Sequence, residues 1–245
     1  MSPVLLHDVP ITPDDPKPYG GLNIFSPVIE QQCTELYELC KKAGDLKTNN
    51  SILDFGCGTG RILPKLHKLS SHVVGFDICD RYLQFCKDAG FQCHHADVQH
   101  PEFNPSGVMD PDSEFLPFFE KTFDRVIGMA LLNHQDPQRA KRIISEALRV
   151  TKKGGRIVFT TFLLNPQSTF QLNYDQCVFS FKEKTPEWWV TNYERPYLNC
   201  AIDETIIRRT IIENKGQIVE PIQYGHWRQI VEAPTGHDLI IIRKI

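Results

Sequence analysis

The chain has little net charge, no long apolar run and no closely paired cysteines, and each absence removes a class of function. Its 27 lysines and arginines stand against 30 acidic residues, a net charge of −3 over 245 residues. Such a balance provides no basic field of the kind that carries non-specific nucleic-acid affinity, so no nucleic-acid partner is expected. No wholly apolar stretch approaches the roughly 20 residues of a bilayer span. The first ten residues, MSPVLLHDVP, have neither a basic start nor a sustained apolar core. A soluble, cytoplasmic protein away from membranes is the expectation. The eight cysteines include no C-x-x-C pair, which fits reduced thiols better than a disulfide framework. Cys79, Cys86 and Cys93 recur every seven residues ahead of His94 and His95. A helix and a strand should keep them apart, so scattered buried thiols and no metal are expected.

What is present centres on residues 50–63, NSILDFGCGTGRIL. Ile52, Leu53 and Phe55 read as a buried strand, and the apolar spacing after Arg61 is that of a helix. Gly56, Gly58 and Gly60 suit the sharp turn between them, since glycine accepts positive φ and lets a ligand lie on the backbone. The dinucleotide fingerprint would need its third glycine where Arg61 stands, which argues against a nicotinamide cofactor. A second strand, residues 72–76, ends at Asp77, where a doubly wound sheet places the acid that takes ribose hydroxyls. Residues 91–96 lead in the same way to Asp97. From 52 to 162 strands and helices alternate, which implies a parallel sheet with helices on both faces. The length and the 41% hydrophobic content suit one domain.

The acidic-x-Gly-x-Gly-x-Gly spacing over residues 54–60, with the segments 116–135 and 147–162 in the expected order, resembles class I S-adenosylmethionine (SAM)-dependent methyltransferases, small-molecule enzymes of the type 11/12 kind. That resemblance implies a Rossmann-like α/β fold: a doubly wound, mainly parallel seven-stranded sheet with an antiparallel last strand, an N-terminal helical lid (1–49), a SAM-binding core (50–162), an aromatic substrate-side insert (163–202) and a closing helix and strands (203–245). It implies SAM as cofactor and S-adenosylhomocysteine as product. Asp54 would sit near the methionine amino group through water, Gly56, Cys57, Gly58 and Gly60 would give backbone approach, and Asp77 would hold the ribose. Ile78, Asp97 and Val98 would surround adenine, with Met129 at the end of the fourth strand.

The flanks carry the substrate questions. Tyr19 and Phe25 are candidate lid contacts, and from Asn23 onward Ile29, Cys33, Leu36, Tyr37 and Cys40 fall on one helical face ending near Gly44. Residues 100–114, with three prolines, interrupt the alternation as a long loop, either functional or disordered. Asp136-Pro137 is a helix start, which puts His134 at the sheet's carboxyl rim as a candidate general base titrating near neutral pH. Between 165 and 200 aromatic residues are dense; Tyr174 and Trp188 are candidate pocket walls, and 176–182 alternates like a strand of a small added sheet. Asp203 should cap a helix running to Gly216 with Ile212 on its apolar side, followed by antiparallel sixth and seventh strands at 217–225 and 237–245. Tyr224, Gly225, Trp227, His237 and Asp238 resemble the tail of small-molecule methyltransferases encoded beside bacterial glycosyltransferases, although Arg228-Gln229 stands where Gly-Arg is usual. Methyl transfer to an oxygen or nitrogen of a small-molecule acceptor, by a monomer or homodimer, is the expectation. A lyase or cyclase that uses the cofactor without transfer, a non-catalytic SAM-binding scaffold and a protein methyltransferase are the alternatives.

Overall fold

The computed structural model describes residues 27–113, 115–172, 179–228 and 235–245. In chain order the elements that build the core are α1 (Pro27–Gly44), β1 (Ile52–Phe55), α2 (Leu63–Leu69), β2 (Val73–Asp77), α3 (Asp80–Asp88), β3 (Cys93–His95), β4 (Phe123–Gly128), α4 (Pro137–Val150) and the long β5 (Thr151–Leu164). After them come α5 (Pro166–Leu172), β6 (Lys182–Thr185), β7 (Trp188–Val190), β8 (Cys200–Asp203), α6 (Glu204–Glu213), β9 (Gly216–Ile218) and β10 (Asp238–Lys244). The main sheet runs β3-β2-β1-β4-β5, with β10 paired to β5 and β9 to β10. β1 through β5 are mutually parallel. β10 is antiparallel to β5 and β9 antiparallel to β10. The expected seven-stranded sheet is therefore present, with one correction: only the last strand opposes the rest, because β9 reverses direction a second time.

Strand alternation sorts the core into two layers. Leu53, Val126, Ile157 and Phe159 pack with Ala140, Ile144 and Leu148 of α4 on one face, whereas Ile52, Ile127 and Val158 pack with Leu36, Tyr37 and Cys40 of α1 on the other. Each helix contributes a stripe at the i, i+3, i+4 spacing. The Asp136 side chain caps α4 by accepting from the Arg139 amide at 2.9 Å, with proline at the first helical turn. α6 stops at Glu213 rather than Gly216, which instead opens β9; Ile212, expected on its apolar side, is 71% exposed.

β5 outlasts its partners. Its end, Phe162–Leu164, pairs in parallel with β8, which carries β7 and β6 as an antiparallel extension. This is the added sheet expected from the aromatic stretch. Its first strand is Lys182–Thr185 rather than 176–182, of which 176–178 lie outside the described residues. The thiols are less scattered than expected: Cys57, Cys86 and Cys93 bring their sulfurs together, because Cys57 follows β1 and Cys93 lies in β3, on either side of β2. Among the described residues no helix is long and apolar enough to cross a membrane.

The tail residues form a buried lock. Asp238, at the start of β10, accepts from the Leu163 and Gly225 amides, each at 2.8 Å, and from Trp227 Nε1 at 2.9 Å. Arg228, as fully buried as Asp238, lies 3.2 Å from its carboxylate and also donates to the Leu163 carbonyl at 2.6 Å. These side chains serve packing at the end of β5. Asp238→Ala should cost roughly 3–5 kcal/mol by leaving a buried guanidinium unpaired, while Asp80→Ala, which removes an exposed pair with Lys87, should cost under about 1 kcal/mol. Urea unfolding of the two variants measures both, and equal losses would remove the lock from this account.

Candidate active site

β1 ends at the sheet's carboxyl edge and the chain turns through Gly56 (φ 76°), Gly58 (φ 52°) and Gly60 (φ 80°). The Gly56 and Cys57 amides both donate to the Phe76 carbonyl, at 2.8 and 3.0 Å. The loop is thereby tied to the end of β2, and Asp77 completes the tie: one carboxylate oxygen accepts from the Gly58 amide at 2.8 Å and the other from the Cys79 amide at 2.9 Å. Burial raises the Asp77 pKa, against those amides, which favour the charged form. Each oxygen still has acceptor capacity for a ligand. Around Gly58 a Cβ would meet nothing within 4 Å, so the backbone there is open to a ligand.

Two adjoining clefts lie over this turn, of about 470 and 780 Å³, sharing Gly56, Asp77, Ile78, Leu131 and Gln135. The smaller is walled by Phe55, Phe76, Val98, Phe115 and Ile143 and suits a flat, weakly polar ring. The larger is walled by the glycine loop, Arg61, Phe103, Met129 and His134. Ala130 beside it holds φ at 51°, a left-handed conformation unusual for a residue with a Cβ, its amide donating to Thr160 Oγ1 at 2.7 Å.

His134 is held on both sides. Its Nδ1 lies 3.0 Å from the Tyr197 carbonyl, which can only accept, so Nδ1 carries the proton and Nε2 the lone pair. Asn133 Nδ2 donates to that Nε2 at 3.3 Å. Burial pushes the imidazole down to about 4, which corrects the expectation of titration near neutrality. His100 is its neighbour: its Nε2 donates to the His134 carbonyl at 3.0 Å, and its Nδ1 accepts from the Glu102 and Phe103 amides. Burial pushes His100 down to about 3. The loop at 100–113 is thus a cleft wall, set by His100, by the ring of Phe103 edge-on to His134 at 5.0 Å, and by an ion pair between Glu102 and Arg195 of the insert.

Of the residues singled out from the sequence, Gly56, Cys57, Gly58, Asp77, Ile78, Val98, Met129 and His134 line the clefts. Four others stand elsewhere. Asp54 is 4% exposed behind the loop, with Oδ2 lacking a protein partner, and burial raises it to about 8. Gly60 faces Cys86 and Leu63 as the loop enters α2. Asp97 turns its carboxylate to Asn104 Nδ2 at 2.9 Å, so only its neighbour Val98 reaches the cleft. Trp188 is 8% exposed, packs on Tyr197 at 5.5 Å and lines neither cleft. Tyr19, Phe25 and Tyr174 lie outside the described residues, and none of the described α1 residues lines either cleft. Phe103 and Phe115 were not anticipated, whereas Gln135 falls at the rim where its place just before α4 puts it. Phe103 and Phe115 sit in and just after the loop whose role spacing left open.

Residues 53–159 match the family model described as methyltransferase domain. Over 164 residues, 67% of this chain and 59% of the relative, the sequence is 30% identical to a malonyl-[acyl-carrier protein] O-methyltransferase of Buchnera aphidicola. Over 125 residues, 51% of this chain and 27% of the relative, it is 30% identical to a tRNA (carboxymethyluridine(34)-5-O)-methyltransferase of Arabidopsis thaliana. The chain thus spans about three-fifths and about a quarter of these two curated relatives. A SAM-dependent methyltransferase of Methanosarcina mazei superposes with a TM-score of 0.56 at 21% identity, over 82% of this chain and 94% of that one, a likeness of fold.

The two histidines at the cleft wall set an acid limit. Because their folded values, about 4 and about 3, lie below the usual histidine value of about 6.5, the unfolded chain binds more protons in between. Their contribution to stability is full above about pH 6.5 and is lost as pH falls through those values; Asp54, raised to about 8, acts oppositely, losing its contribution as pH rises through 8. Urea midpoints should fall from pH 6.5 to 4, and His100→Asn should flatten that fall. An unchanged slope in the variant would remove His100 from the acid response.

Proposed function

This chain belongs to the class I SAM-dependent methyltransferase family, and we propose that it transfers the methyl of SAM to a carboxylate oxygen of a small acceptor. The observation that carries the cofactor half is the bare glycine backbone fastened to Asp77. Asp77 keeps acceptor capacity on each oxygen for a ribose diol, the apolar cleft at Val98 and Phe115 fits the adenine ring, and the buried Oδ2 of Asp54, without a protein partner, fits a cationic amino group reached through water. SAM supplies a methyl on a positively charged sulfur, open to in-line displacement. The chain's part is orientation and exclusion of water.

The acceptor half rests on His134. An imidazole pushed down to about 4 is neutral at physiological pH yet a weak base, poorly matched to taking a proton from a hydroxyl. A carboxylate is already an anion and needs no base. Arg61 lines the same cleft and supplies a cation for it. Both relatives' names specify O-methylation, one of a carboxymethyluridine in tRNA and one of a malonyl-[acyl-carrier protein]. The net charge of −3 favours a small acceptor over a whole nucleic acid.

Methyl-labelled SAM incubated with a panel of acyl and dicarboxylic acids should give S-adenosylhomocysteine in step with a labelled ester, and brief alkali should release that label as volatile methanol. Label stable to alkali would mean an ether or amine acceptor and overturn the carboxylate reading. His134→Ala should stay within about tenfold of the parent, and parent activity should hold level down to about pH 5. A limb near pH 6.5 that the variant loses would restore His134 as general base.

Cofactor binding should report on the two acids. Calorimetry should give a dissociation constant in the micromolar range or tighter, about 8 kcal/mol. Asp77→Ala should weaken it by roughly 1.5–3 kcal/mol, through the ribose and the loosened Gly58 amide. Since Asp54 is raised to about 8, an arriving cation should draw off its proton at pH 7, and the heat should vary with buffer ionisation enthalpy. Buffer-independent heats would place Asp54 outside the cofactor's reach.

A further inference from the structure

Beneath the glycine loop three thiols meet that methyl transfer does not use. Cys57 lies in the loop, Cys86 on α3 and Cys93 in β3, and their sulfurs all lie within 4.8 Å of one another. The backbone around them is cut back to make room. Gly75 sits inside β2, where a glycine ordinarily weakens a strand and marks a close approach; a Cβ there would lie 2.7 Å from the Cys93 sulfur and 2.9 Å from that of Cys57. A Cβ on Gly60 would lie 2.8 Å from the Cys86 sulfur.

We propose that Cys57, Cys86 and Cys93 form a site for one soft d10 metal ion, zinc(II) or copper(I), bound by three thiolates under the glycine loop. Zinc–sulfur bonds of about 2.3 Å set sulfurs about 3.8 Å apart around a tetrahedral ion and about 4.0 Å apart around a trigonal one. Sulfurs already within 4.8 Å reach either arrangement by small side-chain movements. Three sulfur donors select soft ions over magnesium or calcium. A disulfide would use two of the thiols and leave the third without a role. Cys57 lines the larger cleft and Cys93 is half-buried, so an ion and a fourth, water ligand have a way in. Binding balances as zinc(II) plus three thiols giving a zinc tris-thiolate of charge −1 and three protons released to solvent; copper(I) likewise releases three protons and gives a complex of charge −2. No electron moves in either case. The ion would join the loop after β1 to α3 and β3 across β2.

The full chain, reduced and stripped with chelator, tests this directly. Cobalt(II) titration should develop a thiolate-to-metal charge-transfer band that saturates at one equivalent and disappears on adding zinc(II); competition with a copper(I)-specific chromophoric chelator tests the other ion. Cys86→Ser and Cys93→Ser should each lose the band or weaken binding at least tenfold, while Cys200→Ser, at a buried cysteine outside the cluster, should keep both. On the unmodified chain, which needs no variant to fold, one equivalent of the bound ion should slow maleimide alkylation of Cys93 at least tenfold. Tight binding of zinc alone, copper(I) alone or both identifies the ion. Failure of both to bind, or undiminished stoichiometric binding in the Cys86→Ser/Cys93→Ser double variant, would overturn the site. None of these readouts uses SAM, so the site and the methyl-transfer reading stand or fall separately.

Discussion

The Asp77 carboxylate, shared between the Gly58 and Cys79 amides, is the contact on which the cleft depends. A loop with three positive-φ glycines has little stiffness of its own, and its shape comes from what it is tied to. Two ties run to the Phe76 carbonyl and one to Asp77, so β2 acts as the template on which the loop after β1 is held. The same arrangement compensates the carboxylate with backbone dipoles, leaving acceptor capacity toward the ligand side. Position and chemistry thus come from one side chain.

The opposite wall is built by pieces distant in sequence. Residues 100–113, the turn at 132–135 and the insert meet around two histidines whose tautomers are set by the carbonyls they face. His100 ties the long loop to the backbone of residue 134, and the Tyr197 carbonyl ties the insert to the imidazole of that same residue. Burial makes both rings poor bases. That wall is therefore built jointly by the loop and the insert, while the facing side rests on β1, β2 and the loop between them. Beneath that side, the room left by Gly75 and Gly60 lets three thiols share one space.

Local patterns determined the glycine turn, the strand ending at Asp77, the Asp136 cap and the two helix stripes, because each rests on residues adjacent or one turn apart. The core order followed from alternating strands and helices, which have few ways to pack in a parallel sheet. Tertiary structure decided what depends on distant partners. Desolvation at the cleft wall lowers His134 from the neutral range to about 4. Asn104 drew the Asp97 carboxylate aside, Trp188 packed on Tyr197 rather than lining a cleft, and residues 100–113 became a wall rather than a loose loop. Cys57 and Cys93 meet although 36 residues apart, because parallel pairing sets β1, which Cys57 follows, and β3, which holds Cys93, on either side of β2 and its Gly75. A one-dimensional pattern carries periodicity and turn chemistry; it does not carry which side chains converge across neighbouring strands, and convergence is what sets burial, proton affinity and ligand geometry here.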